Sequence, residues 1–147
     1  MDFLSYLLLL ITVALLAMLT GLTLHETTHY VVGRLDGGNP SYVLLFGIAP
    51  QAVTFENIDS MSRQGVRATG ASVLIWPILT IIWYINVGFP ANLFEIYFFL
   101  SLLGASIVSP SDFLGMVYPD RWKDFAKTTE EGTHREAIAE LLKGRGG

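Results

Sequence analysis

Two histidines and a glutamate form the densest group of chemically active side chains in this sequence. They occur in His25-Glu26-Thr27-Thr28-His29, the HExxH pattern. Residues four apart lie on one face of an α-helix, so both imidazoles can bind one metal ion, while Glu26 is rotated by about 100° and flanks it. Zinc accepts neutral imidazole nitrogens, and a neighbouring carboxylate can deprotonate a zinc-bound water. The motif therefore predicts a hydrolytic site with one Zn²⁺ ion, in which Glu26 is the general base.

The composition indicates that these residues lie in a membrane protein. Of the 147 residues, 52% are hydrophobic and 15% are charged, whereas an average soluble domain has roughly 25% charged residues. The formal net charge of -4 comes without a dense basic stripe for a phosphate backbone, so we expect no nucleic-acid partner. Because the chain has no cysteine, any metal ion must be bound by His, Asp or Glu.

Three apolar segments are long enough to cross a bilayer, which takes about 20 residues of helix. The first helix is predicted at about 3–33. The second is predicted at about 66–87, with Pro77 as a kink in its middle. The third is predicted at about 93–117, with an interruption at 109–112. The pattern favours an all-α membrane protein with three transmembrane helices.

The segment between the first two helices predicts a β-hairpin at about 41–56. Two β-prone runs, 42–46 and 52–55, flank Gly and Pro residues that are typical of turns. The first run is almost wholly apolar, so we expect it to contact lipid or protein on both faces. A re-entrant or membrane-surface hairpin fits that expectation.

The basic residues predict the orientation of the chain. With three spans, all nine Lys and Arg residues fall on one side, in the first loop or beyond the third helix. By the positive-inside rule that side is cytoplasmic and the N-terminus is outside, as expected of an integral, multi-pass membrane protein. Residues 1–118 would form a transmembrane core that contains the HExxH motif, and 119–147 a cytoplasmic tail. A one-sided apolar stripe at 133–143 predicts a short helix in that tail, on the membrane surface or on another subunit.

Two aspartates are candidates for the third ligand that a catalytic zinc ion needs. Asp112 lies 20 residues beyond Asn92 in the third helix, about 30 Å, and His25 lies about 33 Å into the first, so the two reach the same depth. Asp36 lies about 10 Å beyond His29 if the first helix continues. We expect Asp112 to be the ligand, with Asp36 as the alternative. The other interpretation of Asp112 is a helix N-cap or an interfacial carboxylate.

Several features accompany the HExxH pattern: Val32, Arg34 and Gly37 after it, the apolar hairpin, Ala68-Thr69-Gly70-Ala71, and Pro110-Ser111-Asp112-Phe113-Leu114-Gly115. In these features, over about 3–118, the chain resembles the site-2 proteases, a family of intramembrane zinc metalloproteases. The resemblance implies a minimal three-helix catalytic core, with Asp112 in the place of the aspartate of the family's LDG motif. The family's usual Gly-Pro and helix-two Asn are not evident, and no oxyanion stabiliser is assigned.

The resemblance also implies a function. The implied function is an intramembrane zinc endopeptidase that hydrolyses transmembrane substrates near the cytoplasmic face. In this function His25, His29 and Asp112 would bind the zinc ion, and Glu26 would activate the zinc-bound water. Two alternatives stay open, a zinc peptidase acting on soluble or surface peptides and a non-catalytic metal-binding or structural membrane module. The expected partners are the lipid bilayer and a transmembrane protein substrate. A chain of this length buries little surface, which leaves room for a homo-oligomer or a regulatory membrane partner.

Overall fold

The fold is organised around one long helix, against which other elements pack. In the computed structural model, which describes residues 2–131, α1 (Phe3–Leu35) is a single helix of 33 residues. At 1.5 Å per residue it is about 50 Å long. Its start is capped by Asp2, whose carboxylate accepts a hydrogen bond from the Ser5 N–H. The first predicted helix therefore extends two residues further at its carboxyl end.

The predicted β-hairpin is confirmed. Strands β1 (Pro40–Leu45) and β2 (Ala49–Phe55) pair in antiparallel fashion and form the two-stranded sheet of the described residues. Phe46 and Gly47 in the connecting turn have positive φ angles, and Phe46 and Ile48 are 89% and 81% exposed. The sheet packs on α1, mainly through β2.

The second apolar segment is divided into α2 (Arg63–Ser72) and α3 (Ile75–Val87), preceded by a 3-10 turn (Ile58–Ser60). The kink predicted at Pro77 is wrong in position, because the irregularity precedes it, between α2 and α3. Pro77 lies in the first turn of α3, where backbone N–H groups have no carbonyl partner within the helix, so a proline there costs no helical hydrogen bond.

The third apolar segment consists of α4 (Leu93–Ala105) and α5 (Pro110–Val117), whose axes are bent by 51°. The predicted interruption is present but lies earlier than expected, at 106–109. The reason is that Ser109 caps α5 and Pro110 occupies its first turn, so this part of the sequence begins a helix.

The described residues are thus mostly helical. Phe3–Leu35 and Arg63–Val87 are long and apolar enough to cross a membrane, and a third span is present if the bent pair α4 and α5 counts as one. The predicted combination of apolar helices with a β-hairpin is confirmed at this level.

The last described helix, α6 (Pro119–Glu131), belongs to the packed part of the fold. Its Trp122 joins a buried cluster with four residues of the preceding elements: Phe55, Ile58, Met61 and Val66. The Lys123 ammonium also donates to the Met61 carbonyl oxygen. The first part of the predicted tail is therefore a docked helix, and the helix predicted at 133–143 lies outside the described residues.

Candidate metal centre

Three side chains bring their ligand atoms together at one point. The Nε2 atoms of His25 and His29 are 3.1 Å apart, and the carboxylate oxygens of Asp112 lie 3.4 Å from the first and 2.9 Å from the second. All three residues are buried. Among residues 2–131 they form the one group of three that could hold a metal ion. Two imidazole nitrogens and a carboxylate oxygen are a donor set that suits zinc with three protein ligands.

The second nitrogen of each histidine is held by a backbone carbonyl. His25 Nδ1 donates to the oxygen of Ala105 at 3.0 Å, and His29 Nδ1 donates to the oxygen of Thr69 at 2.9 Å. A carbonyl can only accept, so each ring carries a proton on Nδ1, and Nε2 is the atom that each ring can offer to a metal ion. Both carbonyls belong to the last turns of their helices, α4 and α2, where carbonyl oxygens lack a backbone N–H partner within the helix, and the Thr69 oxygen also accepts from the Ser72 hydroxyl at 2.7 Å. The breaks in the two later segments thus supply the groups that orient the histidines.

Asp112 is aimed by the start of α5. The Ser109 Oγ accepts from the Asp112 N–H at 3.1 Å, and the Asp112 carboxylate accepts from the Ser109 N–H at 2.6 Å. This reciprocal pair is a capping box, which the local pattern Ser-x-x-Asp predicts from the sequence. The two interpretations of Asp112 are compatible, because the carboxylate that caps the helix also faces both histidines.

Two glycines allow the helices that carry these groups to approach closely. A Cβ atom at Gly21 of α1 would lie 2.6 Å from the Ser101 carbonyl oxygen of α4. A Cβ atom at Gly70 of α2 would lie 2.5 Å from the Asp112 carbonyl oxygen of α5. Any side chain at either position would push apart helices that contribute to the centre.

Glu26 lies beside the ligand group and outside it. Its side chain is buried and interacts with the backbone N–H of Val53 in β2. Together with His29 and Asp112 it lines a cavity of about 180 Å³. A carboxylate in this place can accept a proton from a molecule held next to the three ligands.

Other residues of the cavity were not identified from the sequence. Gln51 and Phe55 of β2 and Trp122 of α6 form part of its wall. The indole N–H of Trp122 donates to the Ser111 Oγ at 3.1 Å. No local pattern marks these residues, since the folding of distant elements onto α1 brings them to the site.

The alternative ligand Asp36 lies elsewhere. Its carboxylate accepts from the backbone N–H of Ser62 at 2.7 Å and from the Ser62 hydroxyl at 2.9 Å. Ser62 is the N-cap of α2, so Asp36 joins the end of α1 to the start of α2. It is not part of the group formed by His25, His29 and Asp112.

The arrangement offers three metal ligands and a buried carboxylate beside them, on the wall of one cavity. Comparisons of the chain with protein-family models, with curated proteins and with solved structures find no match.

Proposed function

We propose that this protein is an intramembrane zinc endopeptidase of the site-2 protease type, which hydrolyses peptide bonds of transmembrane proteins near the cytoplasmic face. One observation carries the proposal. A buried His25, His29 and Asp112 group, with Glu26 beside it, lies where helices long enough to cross a membrane meet. Burying ionisable groups among apolar helices is costly unless the groups are paired or serve a site.

The residues fit the roles of a metallopeptidase. His25, His29 and Asp112 would hold the zinc ion, which when bound acts as a Lewis acid on water and on the substrate carbonyl. Glu26 takes the proton of the attacking water as the water oxygen bonds to the carbonyl carbon. Glu26 then gives this proton to the amide nitrogen and the carbon–nitrogen bond breaks, so that the products are an amine and a carboxylic acid, which releases the second water proton as it ionises.

The placement of the centre supports action within the membrane. α1 is about 50 Å long, whereas the hydrocarbon core of a bilayer is about 30 Å thick, and both histidines lie in the last third of the helix. The described Lys and Arg residues follow these histidines in the chain, from Arg34 to Lys127. By the positive-inside rule this favours a cytoplasmic location for that end of the protein, with the N-terminus outside.

An apolar groove supports a transmembrane substrate. It has a volume of about 580 Å³ and its wall is built largely by side chains of α1, among them Leu15 and Met18, with Ile107 from the break between α4 and α5. At one end it reaches His25 and Glu26. An apolar segment lying in this groove would have its backbone next to the metal ligands.

The test is cleavage of a single-span membrane protein by the purified, zinc-loaded protein. We expect products cut within the apolar segment, identified by mass spectrometry, and no cleavage by Glu26→Gln, which should keep its zinc. Glu56→Gln is the matched control, because Glu56 is exposed and lies outside the cavity. Cleavage of soluble peptides alone would favour the alternative function, a zinc peptidase that acts on soluble or surface peptides. Equal cleavage by wild type and Glu26→Gln would exclude a mechanism in which Glu26 is the general base.

A further inference from the structure

The strand β2 contains one residue that has no partner across the hairpin. Ala52 lies opposite Val43, and the next pair along β1 is Leu44 with Pro50. Gln51 is therefore the extra residue of a β-bulge. Bulges interrupt strand pairing and re-aim a side chain, and they are common next to active sites.

Gln51 stands where two cavities meet. It lines the cavity beside Glu26, His29 and Asp112, and it also lines the apolar groove along α1. Among residues 2–131, two others line both of them, Glu26 and Ser109. These three side chains mark the junction between the groove and the cavity.

Of these three side chains, Gln51 has the most uncommitted hydrogen-bond donors. Glu26 is a carboxylate, which accepts when ionised, and the Ser109 Oγ accepts from the Asp112 N–H and has a single O–H to donate. The Gln51 side-chain amide makes no hydrogen bond to any of residues 2–131, and Gln51 is exposed. Its NH₂ group offers two donors.

Building on the proposed function, we infer that Gln51 is a catalytic residue that donates a hydrogen bond to the carbonyl oxygen of the peptide bond being cleaved. As the water oxygen adds to the carbonyl carbon, the π electrons of the carbonyl move to its oxygen, which becomes negatively charged. A donor already aimed at that oxygen stabilises the charge, and the charge returns to the carbonyl as the amine leaves. The bulge places Gln51 at the junction and leaves its amide free for the substrate.

The kinetic test replaces the amide and keeps the rest of the site. We expect Gln51→Ala and Gln51→Glu to lower kcat by about 100-fold, as loss of one oxyanion donor does, with KM and zinc content close to wild type. Gln64→Ala is the matched control, since Gln64 is the exposed glutamine of α2 outside both cavities. An unchanged kcat, or a rise in KM alone, would overturn the inference and leave the proposed function in place.

A second measurement does not depend on turnover. The chain has no cysteine, so Gln51→Cys introduces a single thiol, and adding Glu26→Gln keeps the substrate intact. We expect disulfide formation with a series of single-cysteine transmembrane substrates to be strongest at the residues flanking the cleaved bond, with Gln64→Cys giving none. Disulfides spread evenly along the substrate would refute the placement of Gln51. A wild-type protein that cleaves no membrane substrate would remove the proposed function and this inference together.

Discussion

Asp112 Oδ1 lies 2.9 Å from His29 Nε2, although the two residues belong to the third and the first apolar segments of the chain. The distance between these two atoms is set by contacts among several helices and not by either helix alone. α5 packs against α2, α2 packs against α1, and the His29 ring is held by a carbonyl of α2. The centre is therefore sensitive to every contact that sets the spacing of these helices.

Asp112 is expected to be required for metal binding. Replacing it by alanine removes the only carboxylate of the ligand group and leaves two imidazoles, one ligand short of a catalytic zinc site. We expect Asp112→Ala to lose most of its zinc, measured by mass spectrometry of the metal in purified protein. Retention of full zinc content would show that another residue completes the site.

Asp36 is expected to contribute to stability and not to metal binding. Its two hydrogen bonds to Ser62 tie the end of α1 to the start of α2. We expect Asp36→Ala to lower the free energy of unfolding by about 1–2 kcal/mol, measured by denaturant titration in detergent, with zinc content unchanged. Loss of zinc from this variant at a temperature where it is folded would contradict the assignment of Asp112.

The contact of α1 with α4 is expected to tolerate no side chain at Gly21. The Cβ atom of alanine would lie 2.6 Å from a backbone oxygen of α4, which cannot move aside without shifting that helix. We expect Gly21→Ala to destabilise the protein by about 1–3 kcal/mol and to weaken zinc binding, because His25 is oriented by the same helix.

Gly104, on the facing surface of α4, provides the control for that variant. A Cβ atom there would lie 3.5 Å from Gly21 Cα, an ordinary van der Waals contact. Thermal unfolding of both variants in detergent should therefore show a lower midpoint for Gly21→Ala only. Equal midpoints would mean that α1 and α4 can move apart without a loss of thermal stability.

The ion pair that joins α6 to the 3-10 turn predicts a pH dependence on the alkaline side. Lys127 Nζ lies 2.5 Å from a carboxylate oxygen of Asp59, and this hydrogen bond raises the pKa of the ammonium above its usual 10.5. A raised pKa in the folded state means that the contribution is complete below the ordinary pKa and is lost as the pH rises through the raised one. Both side chains are largely exposed, so we expect a small effect on stability.

The Lys127 prediction is checked by following the side-chain resonances in an NMR titration. In Asp59→Asn the pKa of Lys127 should fall back towards its usual value. Asp120→Asn is the control, because Asp120 pairs with Arg63 at the other end of α6. An equal decrease in both variants would show that general charge, and not the Asp59 contact, raises the pKa.

Features that depend on near neighbours in the chain could be predicted from the sequence. The lengths of the apolar segments and the positions of the turn residues are enough to predict the long helices and the hairpin, because these elements depend on the burial and the backbone preferences of residues close in the chain. The pairing of His25 with His29 needs only one helical turn, which is why HExxH is informative without any fold. Asp112 could be singled out because its distance along the third segment gave about the same depth as that of His25 along the first, although the third segment is bent by 51°.

Features that depend on contacts between distant segments could not be predicted. The carbonyls of Ala105 and Thr69 orient the histidines only because helix breaks leave those oxygens near them. Gln51 faces the junction because of strand register, and Trp122 reaches the cavity because α6 docks on the hairpin side of the fold. Helical and strand periodicities describe one segment at a time, whereas these positions result from packing shapes that many segments fill together.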